Sequence, residues 1–402
     1  MIWKIAWKNI CRNRTRSLVV IMAVMLGVWA ILFLNGLTVG IVRTFVQDAI
    51  TKDLSHIQIH VPRYLDERDV LDTLPQLGVI LEELNQNPLI NKFNDRIIIS
   101  GMLTTPKGTR GVMIKAVDAA AENELTGISS DLIEGRYLND ENRLPIYIGN
   151  DLAKKLKLKL NQKVVLSFQW TDGEINSQAF RITGFYQTSN RRYDELNVFV
   201  RRQDLVGDST RFAHEIALLC HDEDSIPTVL ATVKNKYSLL SVRDYKEISP
   251  DVELYETQIG LSNLIVMVIV LLALVFGIIN TMLMVVLERV KELGMLMAIG
   301  MNKIRIYLMI LLETMLLSLL GVPIGMLLGH FTIQYFGGKG INLSAYSQAM
   351  REFGMSSVMY PQLRWQDYVT LAFGVLITAI VGAVYPAWKA TRLNPVEAIH
   401  TI

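Results

Sequence analysis

LERVKELGMLMAIGMNKIRI, Leu287 to Ile306, sets six charged side chains between two strongly apolar runs. Charges are costly in hydrocarbon, so this stretch separates two membrane-spanning segments. Within it Val290, Leu293, Met297 and Met301 recur at steps of three and four. That stripe, flanked by Arg289, Lys291 and Glu292, predicts a short amphipathic helix. Such a helix suits docking into a groove on a partner, and a plain connector would show the same pattern.

Outward from this elbow, windows free of Asp, Glu, Lys and Arg mark the spans. Ser17–Val42, Thr257–Leu287 and Tyr368–Trp388 are such windows, and Ile306–Gly338 is interrupted only by Glu313 and His330. About 20 apolar residues cross a bilayer, so four spans are expected: 17–45, 257–287, 305–336 and 367–388. The elbow then occupies 288–304, a polar loop 337–366, and a tail 389–402. An overall 51% hydrophobic content with 19% charge fits a membrane part joined to a water-exposed part. The first apolar run is too long for a cleaved signal and lacks a small-residue cleavage site, so it is expected to be an anchor.

Lys4, Lys8, Arg12, Arg14 and Arg16 precede the first span with no acid among them, and the elbow holds Arg289, Lys291, Lys303 and Arg305. The bias of cations toward the cytoplasm places both termini and the elbow inside. Residues 46–255 then lie outside. Ile2, Trp3, Ala6, Trp7 and Ile10 share one helical arc against Lys4, Lys8 and Arg12, an interfacial helix over 1–16. In the tail, Asn394, Pro395 and Glu397 form a helix-start signal.

The outer segment reads as mixed α and β in two subdomains, with a boundary near residues 120–130. SHIQIHV alternates as a half-buried strand, and two strands meet at Pro106-Lys107-Gly108. A strand, a helix from Asp151, a strand, a turn at Asp172-Gly173 and a strand follow; strand, helix and strand then run from His214 to Arg243. The fold class is therefore an α-helical membrane protein with four transmembrane helices and a large α+β domain inserted between the first and second. Cys11 and Cys220 fall on opposite sides, so no internal disulfide is expected.

Chemistry is sparse. Neither G-x-x-x-x-G-K-[ST] nor G-x-G-x-x-G occurs, so no nucleotide loop is expected, and no metal or catalytic constellation appears. His56 and His60 would share a strand face about 13 Å apart, too far for one metal, and are expected to be solvated. Gly321, Gly325 and Gly329, and on the last span Gly374, Thr378 and Gly382, form small-residue faces suited to close helix packing. Glu313 lies deep in the third span, where an acid is either functional or a structural hydrogen-bonding group.

The elbow resembles the loop after the second span in the permeases of the MacB, LolC/LolE and FtsX type, with its E-R-x-x-E-x-G pattern. AWKNICRNRTRS and YPAWKATRLNPVEAI are similar to the beginning and ending of that family. GVMIKAVD and IYIGNDLAKKLKLKLNQKVVLSF are similar to the outer domain of the lipoprotein-releasing branch, though Asn161-Gln162 stands where a Gly-Asp turn would be expected.

The resemblance implies a multi-pass protein of the bacterial inner membrane, paired with a second permease copy or a related permease, among lipids. ABC ATPase subunits would hold ATP and Mg; this chain would hold no cofactor, and no nucleic-acid partner is implied. Glu288, Arg289, Glu292, Leu293, Gly294 and Gly300 match the ATPase-coupling motif. The implied activity is extraction of lipoproteins or lipophilic cargo from the outer leaflet. Phe33, Leu37, Val39, Leu261 and Leu264 are placed by depth to line an acyl-chain crevice. Efflux of periplasmic peptides or antibiotics, or regulation of a cell-wall hydrolase, are the alternatives.

Overall fold

Helices α1 (Arg14–Ala49), α2 (Pro250–Glu288), α3 (Val290–Ala298), α4 (Lys303–Lys339) and α5 (Trp365–Thr391) carry the apolar runs. All but α3 are long and apolar enough to cross a membrane. The computed structural model describes residues 14–138, 144–207 and 212–392. The expected interfacial helix from Ile2 to Arg12, Cys11 and the tail signal at Asn394–Glu397 lie outside those residues. Both α1 and α2 outrun their charge-free windows, because backbone bonding continues where charge resumes; the windows measure lipid, not helix.

The chain divides into a membrane unit and an extramembrane unit, the latter comprising Arg43–Glu256 and Leu343–Ser357. In the membrane unit Val20, Val24, Val28 and Leu32 of α1 repeat every fourth residue into the core. Ile278 and Met282 of α2, Ile306 and Ile310 of α4, and Val375 and Ala379 of α5 meet them there. Hydrocarbon supplies no hydrogen bonds, so hydroxyls bond back along their own helices: Thr314 to the Ile310 carbonyl at 3.0 Å, Thr378 to that of Gly374 at 2.8 Å. Trp29 donates to Thr332 Oγ1 at 3.1 Å, tying α1 to α4.

The extramembrane unit has two lobes, and they do not divide near residues 120–130. The first holds β1 (Ile57–His60), β9 (Glu215–Cys220), β10 (Ser241–Asp244) and the helices Leu77–Asn85 and Ile226–Lys236, around Ile59, Ile80, Leu218 and Val229. The second is an insertion within it. There β2 (Ile90–Thr105), β3 (Gly108–Val117), β8 (Asn197–Arg201), β5 (Pro145–Gly149), β7 (Ile175–Tyr186) and β6 (Lys163–Gln169) pair in that order, and β6 pairs back with β2. The result is a closed barrel filled by Ile99, Ile114, Ile148, Leu166, Phe180 and Val198. A short β4 (Leu132–Gly135) lies on β7. Gly101 is where the barrel leaves no space: a Cβ there would fall 2.9 Å from the Ser167 carbonyl oxygen.

Strand β2 serves both lobes, its first half pairing with β9 and its second with β3. A buried polar node sits at the change of partner. Arg96, fully buried, makes two bonds to Glu122, at 2.8 and 2.9 Å, and one to Glu215 at 2.8 Å. Lys115 pairs with Asp53 at 2.8 Å and lies 4.7 Å over the Tyr193 ring.

The histidines correct the sequence expectation: His56 and His60 are buried, not solvated. All four residues of β1 are covered, because β9 and β10 flank it and both its faces are packed. His56 Nδ1 accepts the Cys220 amide at 2.9 Å, and His214 Nδ1 accepts the Ile98 amide at 3.1 Å. Both acceptors must therefore be unprotonated. Burial lowers the pKa of each below its ordinary 6.5. A base with a depressed folded pKa leaves stability intact above about pH 6.5 and loses it as pH falls toward the folded value. Hydrogen exchange on the full chain, corrected for intrinsic rates, is expected to show the Ile98 and Cys220 amides losing protection between pH 7 and 5.5. Protection unchanged across that range would mean that the imidazoles do not hold these amides.

The connection between α4 and α5 departs from a simple polar loop. A two-residue ladder, β11 (Ile341–Asn342) with β12 (Val358–Met359), closes its ends in the membrane unit, and Leu343–Ser357 forms a strap belonging to the extramembrane unit. Arg351 of the strap bonds Asp194 at 2.6 Å, Asp151 at 2.5 Å and the Thr188 carbonyl at 3.0 Å. Burial pushes the Asp194 carboxyl up to about 7, against the pull of its Thr188 bonds and of Arg351. Gly354, with φ +71, turns the strap against Phe45.

Candidate functional site

The elbow α3 is bounded at both ends by local chemistry. At its start a single residue, Arg289, with φ −104 and ψ 16, breaks the helix between Glu288 and Val290. At its end Met301 N donates to the Leu296 carbonyl and Gly300 N to the Met297 carbonyl, each at 3.0 Å, with Gly300 at φ +97. This paired bonding is the Schellman stop, which needs a residue tolerant of the left-handed region. Asn302 follows at once and accepts the Ile304 amide at 3.1 Å, capping α4. Gly-Met-Asn thus ends one helix and starts the next within three residues.

Burial divides the elbow into two faces. Leu293 and Gly294 are buried in the membrane unit, whereas Glu288, Glu292 and Gly300 are exposed. Met295 and Ile299 are apolar yet 55% and 79% exposed. Arg289 is buried, bonding Glu292 Oε2 at 3.1 Å and Glu313 Oε1 at 3.1 Å. Of the residues expected here, Arg289, Glu292, Leu293 and Gly294 are brought together. Glu313 joins them, although sequence reading marked only its depth.

The glycine faces meet particular neighbours. A Cβ on Gly321 would lie 2.9 Å from Val24 Cβ, one on Gly325 2.7 Å from the Met25 carbonyl oxygen, and one on Gly329 2.7 Å from Leu32 Cδ1. All three contacts are with α1. On α5, Gly374 faces Leu271 and Gly382 faces Ile278, both of α2.

The expected crevice residues do not form one enclosed group. Phe33 stacks on Trp29 at 5.9 Å and meets Phe336 of α4 at 6.2 Å. Leu37 and Val39 are half-buried on α1, while Leu261 and Leu264 of α2 are 61% and 55% exposed. Periodicity and depth identified apolar positions but not which helix each would face.

Residues 264–395 match the FtsX-like permease C-terminal model, and residues 17–236 the MacB-like periplasmic core domain, which alone covers more than half the chain. The chain belongs to the MacB, LolC/LolE and FtsX family of permeases. This FtsX-like permease is 22% identical to an uncharacterised ABC transporter permease of Methanocaldococcus jannaschii, over 98% of its own length and 96% of the relative's. It is 20% identical to the lipoprotein-releasing system transmembrane protein LolE of Haemophilus influenzae, covering 80% of each chain. With the macrolide export ATP-binding/permease protein MacB of Hahella chejuensis it shares 24% identity, over 99% of the permease and 59% of that protein. The permease is thus a membrane protein whose inserted domain is of the MacB-like periplasmic core type.

Proposed function

We propose that this permease takes up motion from separate ATPase subunits at α3 and passes it through its spans to the extramembrane unit. The observation that carries the reading is the elbow itself: a short helix, stopped at both ends, presenting exposed Met295 and Ile299 between two spans. Exposed apolar side chains beside charges fit a groove on a partner protein better than water. ATP and Mg belong to that partner; exposed Glu288, Glu292 and Gly300 of this chain lie at the contact, and buried Arg289, Leu293 and Gly294 seat α3 behind it. Cations before α1 and in the elbow favour cytoplasmic termini in a bacterial inner membrane, with the extramembrane unit in the periplasm. A second permease copy, or a related permease, completes the assembly.

The cargo we favour is lipoproteins or other lipophilic molecules drawn from the outer leaflet. Support comes from the LolE relative and from the exposed Leu261 and Leu264 of α2, which leave an apolar surface open to acyl chains. Efflux is the second reading, supported by the macrolide-export relative. Gly294→Trp tests the mechanism: the site is buried, so indole must push α3 off its seat. Membrane insertion is expected to persist while ATP-dependent cargo release falls at least about tenfold, equivalent to roughly 1.4 kcal/mol of lost coupling. Undiminished release in this variant would contradict the role given to α3. Mass spectrometry of what co-purifies separates the cargoes: acylated lipoproteins lost in Leu37→Asp or Leu264→Asp favour extraction, and an outer-membrane channel favours efflux.

A further inference from the structure

Glu313 lies eleven residues past the cap of α4, about 16 Å along the helix, among buried Met309, Ile310, Leu316 and Leu317. It is 5% exposed, and Arg289 is 8% exposed. The guanidinium Nη1 of Arg289 donates to both oxygens of Glu313, at 3.1 and 3.2 Å, and its Nε donates to Glu292 at 3.1 Å. One side chain, placed at the single-residue break between α2 and α3, therefore bonds the first turn of the elbow and the interior of α4.

Only the Arg289 backbone lies between α2 and α3; buried Leu293 seats the elbow in the core, and the ion pair ties it specifically to α4. If α3 rolled or tilted away, the Arg289 bonds to Glu313 would be broken in apolar surroundings, a strongly unfavourable change. Charge pairs in apolar settings are best attested as devices that fix register, which is the task here.

We propose that Glu313 is a positioning residue which, through Arg289, locks the elbow to the third span so that a displacement of α3 becomes a displacement of α4. The inference rests on the reading of α3 as the ATPase contact, but its first test does not. Nitroxide labels at Ile299 and Leu319, both exposed, report the distance between elbow and span in the purified full chain without any ATPase. A narrow distance distribution in the otherwise native chain should broaden in Glu313→Gln, a neutral isostere, and narrow again in the exchanged pair Arg289→Glu with Glu313→Arg. An unchanged distribution in Glu313→Gln overturns the proposal and leaves the ATPase contact standing.

The second test uses the assembled complex in nanodiscs with ATP and vanadate, and an environment-sensitive fluorophore at exposed Phe331 of α4. Glu313→Gln is expected to keep its ATPase bound while the nucleotide-dependent signal falls at least about fivefold. A full signal in Glu313→Gln overturns the proposal. Absence of a bound ATPase from the native chain would instead defeat the reading of α3, with the label distances still deciding the role of Glu313.

Discussion

Arg96→Ala is expected to destabilise the extramembrane unit by about 3–5 kcal/mol, the range for removing one partner of a buried ion pair. The side chain is fully buried and satisfies Glu122 twice and Glu215 once. Alanine leaves Glu122, itself fully buried and also bonded by Asn94 at 2.8 Å, with its charge inside and its strongest donor gone. The damage should be shared by both lobes, since Arg96 stands where β2 changes partner from β9 to β3. Hydrogen exchange at the β2 and β9 amides of the full chain is the measurement, with protection falling roughly a hundredfold or more. A neutral set, Arg96→Met with Glu122→Gln and Glu215→Gln, should recover much of the loss, because no unpaired charge remains. A loss below about 1 kcal/mol in Arg96→Ala would mean that water reaches the node.

Gly325→Leu is the second large effect, in the membrane unit. Its Cβ would meet the Met25 carbonyl oxygen at 2.7 Å and Val28 Cβ at 2.8 Å, atoms that cannot swing aside. In lipid, close helix approach is itself the source of packing energy, so forcing α4 from α1 loses contacts along the whole face. Overpacking of this kind costs about 1–3 kcal/mol, and more where backbone is struck. Gly329→Ala is the control. There the nearest atom is Leu32 Cδ1, the end of a flexible side chain, so the loss should be much smaller. Thermal unfolding in mild detergent is expected to rank Gly325→Leu far below Gly329→Ala and the native chain. Equal melting of the two variants would show that α1 and α4 are not held by this face.

The elbow was legible because its signals are local. Six charges within twenty residues exclude lipid, and Val290, Leu293, Met297 and Met301 recur at helical steps, whereas the Gly300 stop and the Asn302 cap emerge only from the structure. The glycine spacing on α4 was legible for the same reason, although its partner helix was not. The lobes were hidden because β2 reads as one long strand while its partners lie far apart in sequence, β3 adjacent and β9 more than a hundred residues on. His56 and His60 were misjudged because alternation tells which residues share a face, not whether the other face is also covered. Arg351 left no signal at all: a lone arginine in a polar connection becomes informative only once Asp151 and Asp194 are brought beside it. Glu313 was marked by depth, but its partner Arg289 looked like one more solvated charge of the elbow.

The first measurement to make is photo-capture at the elbow. A photo-reactive side chain at Ile299, 79% exposed on the face of α3 away from buried Leu293, would be activated in native membranes and the adduct identified. A P-loop ATPase subunit is the expected adduct, captured less efficiently when the label is moved to Phe276, an exposed position on the apolar stretch of α2. Capture of lipid alone at Ile299, in membranes where the chain is expressed at native level, would contradict the ATPase contact at α3.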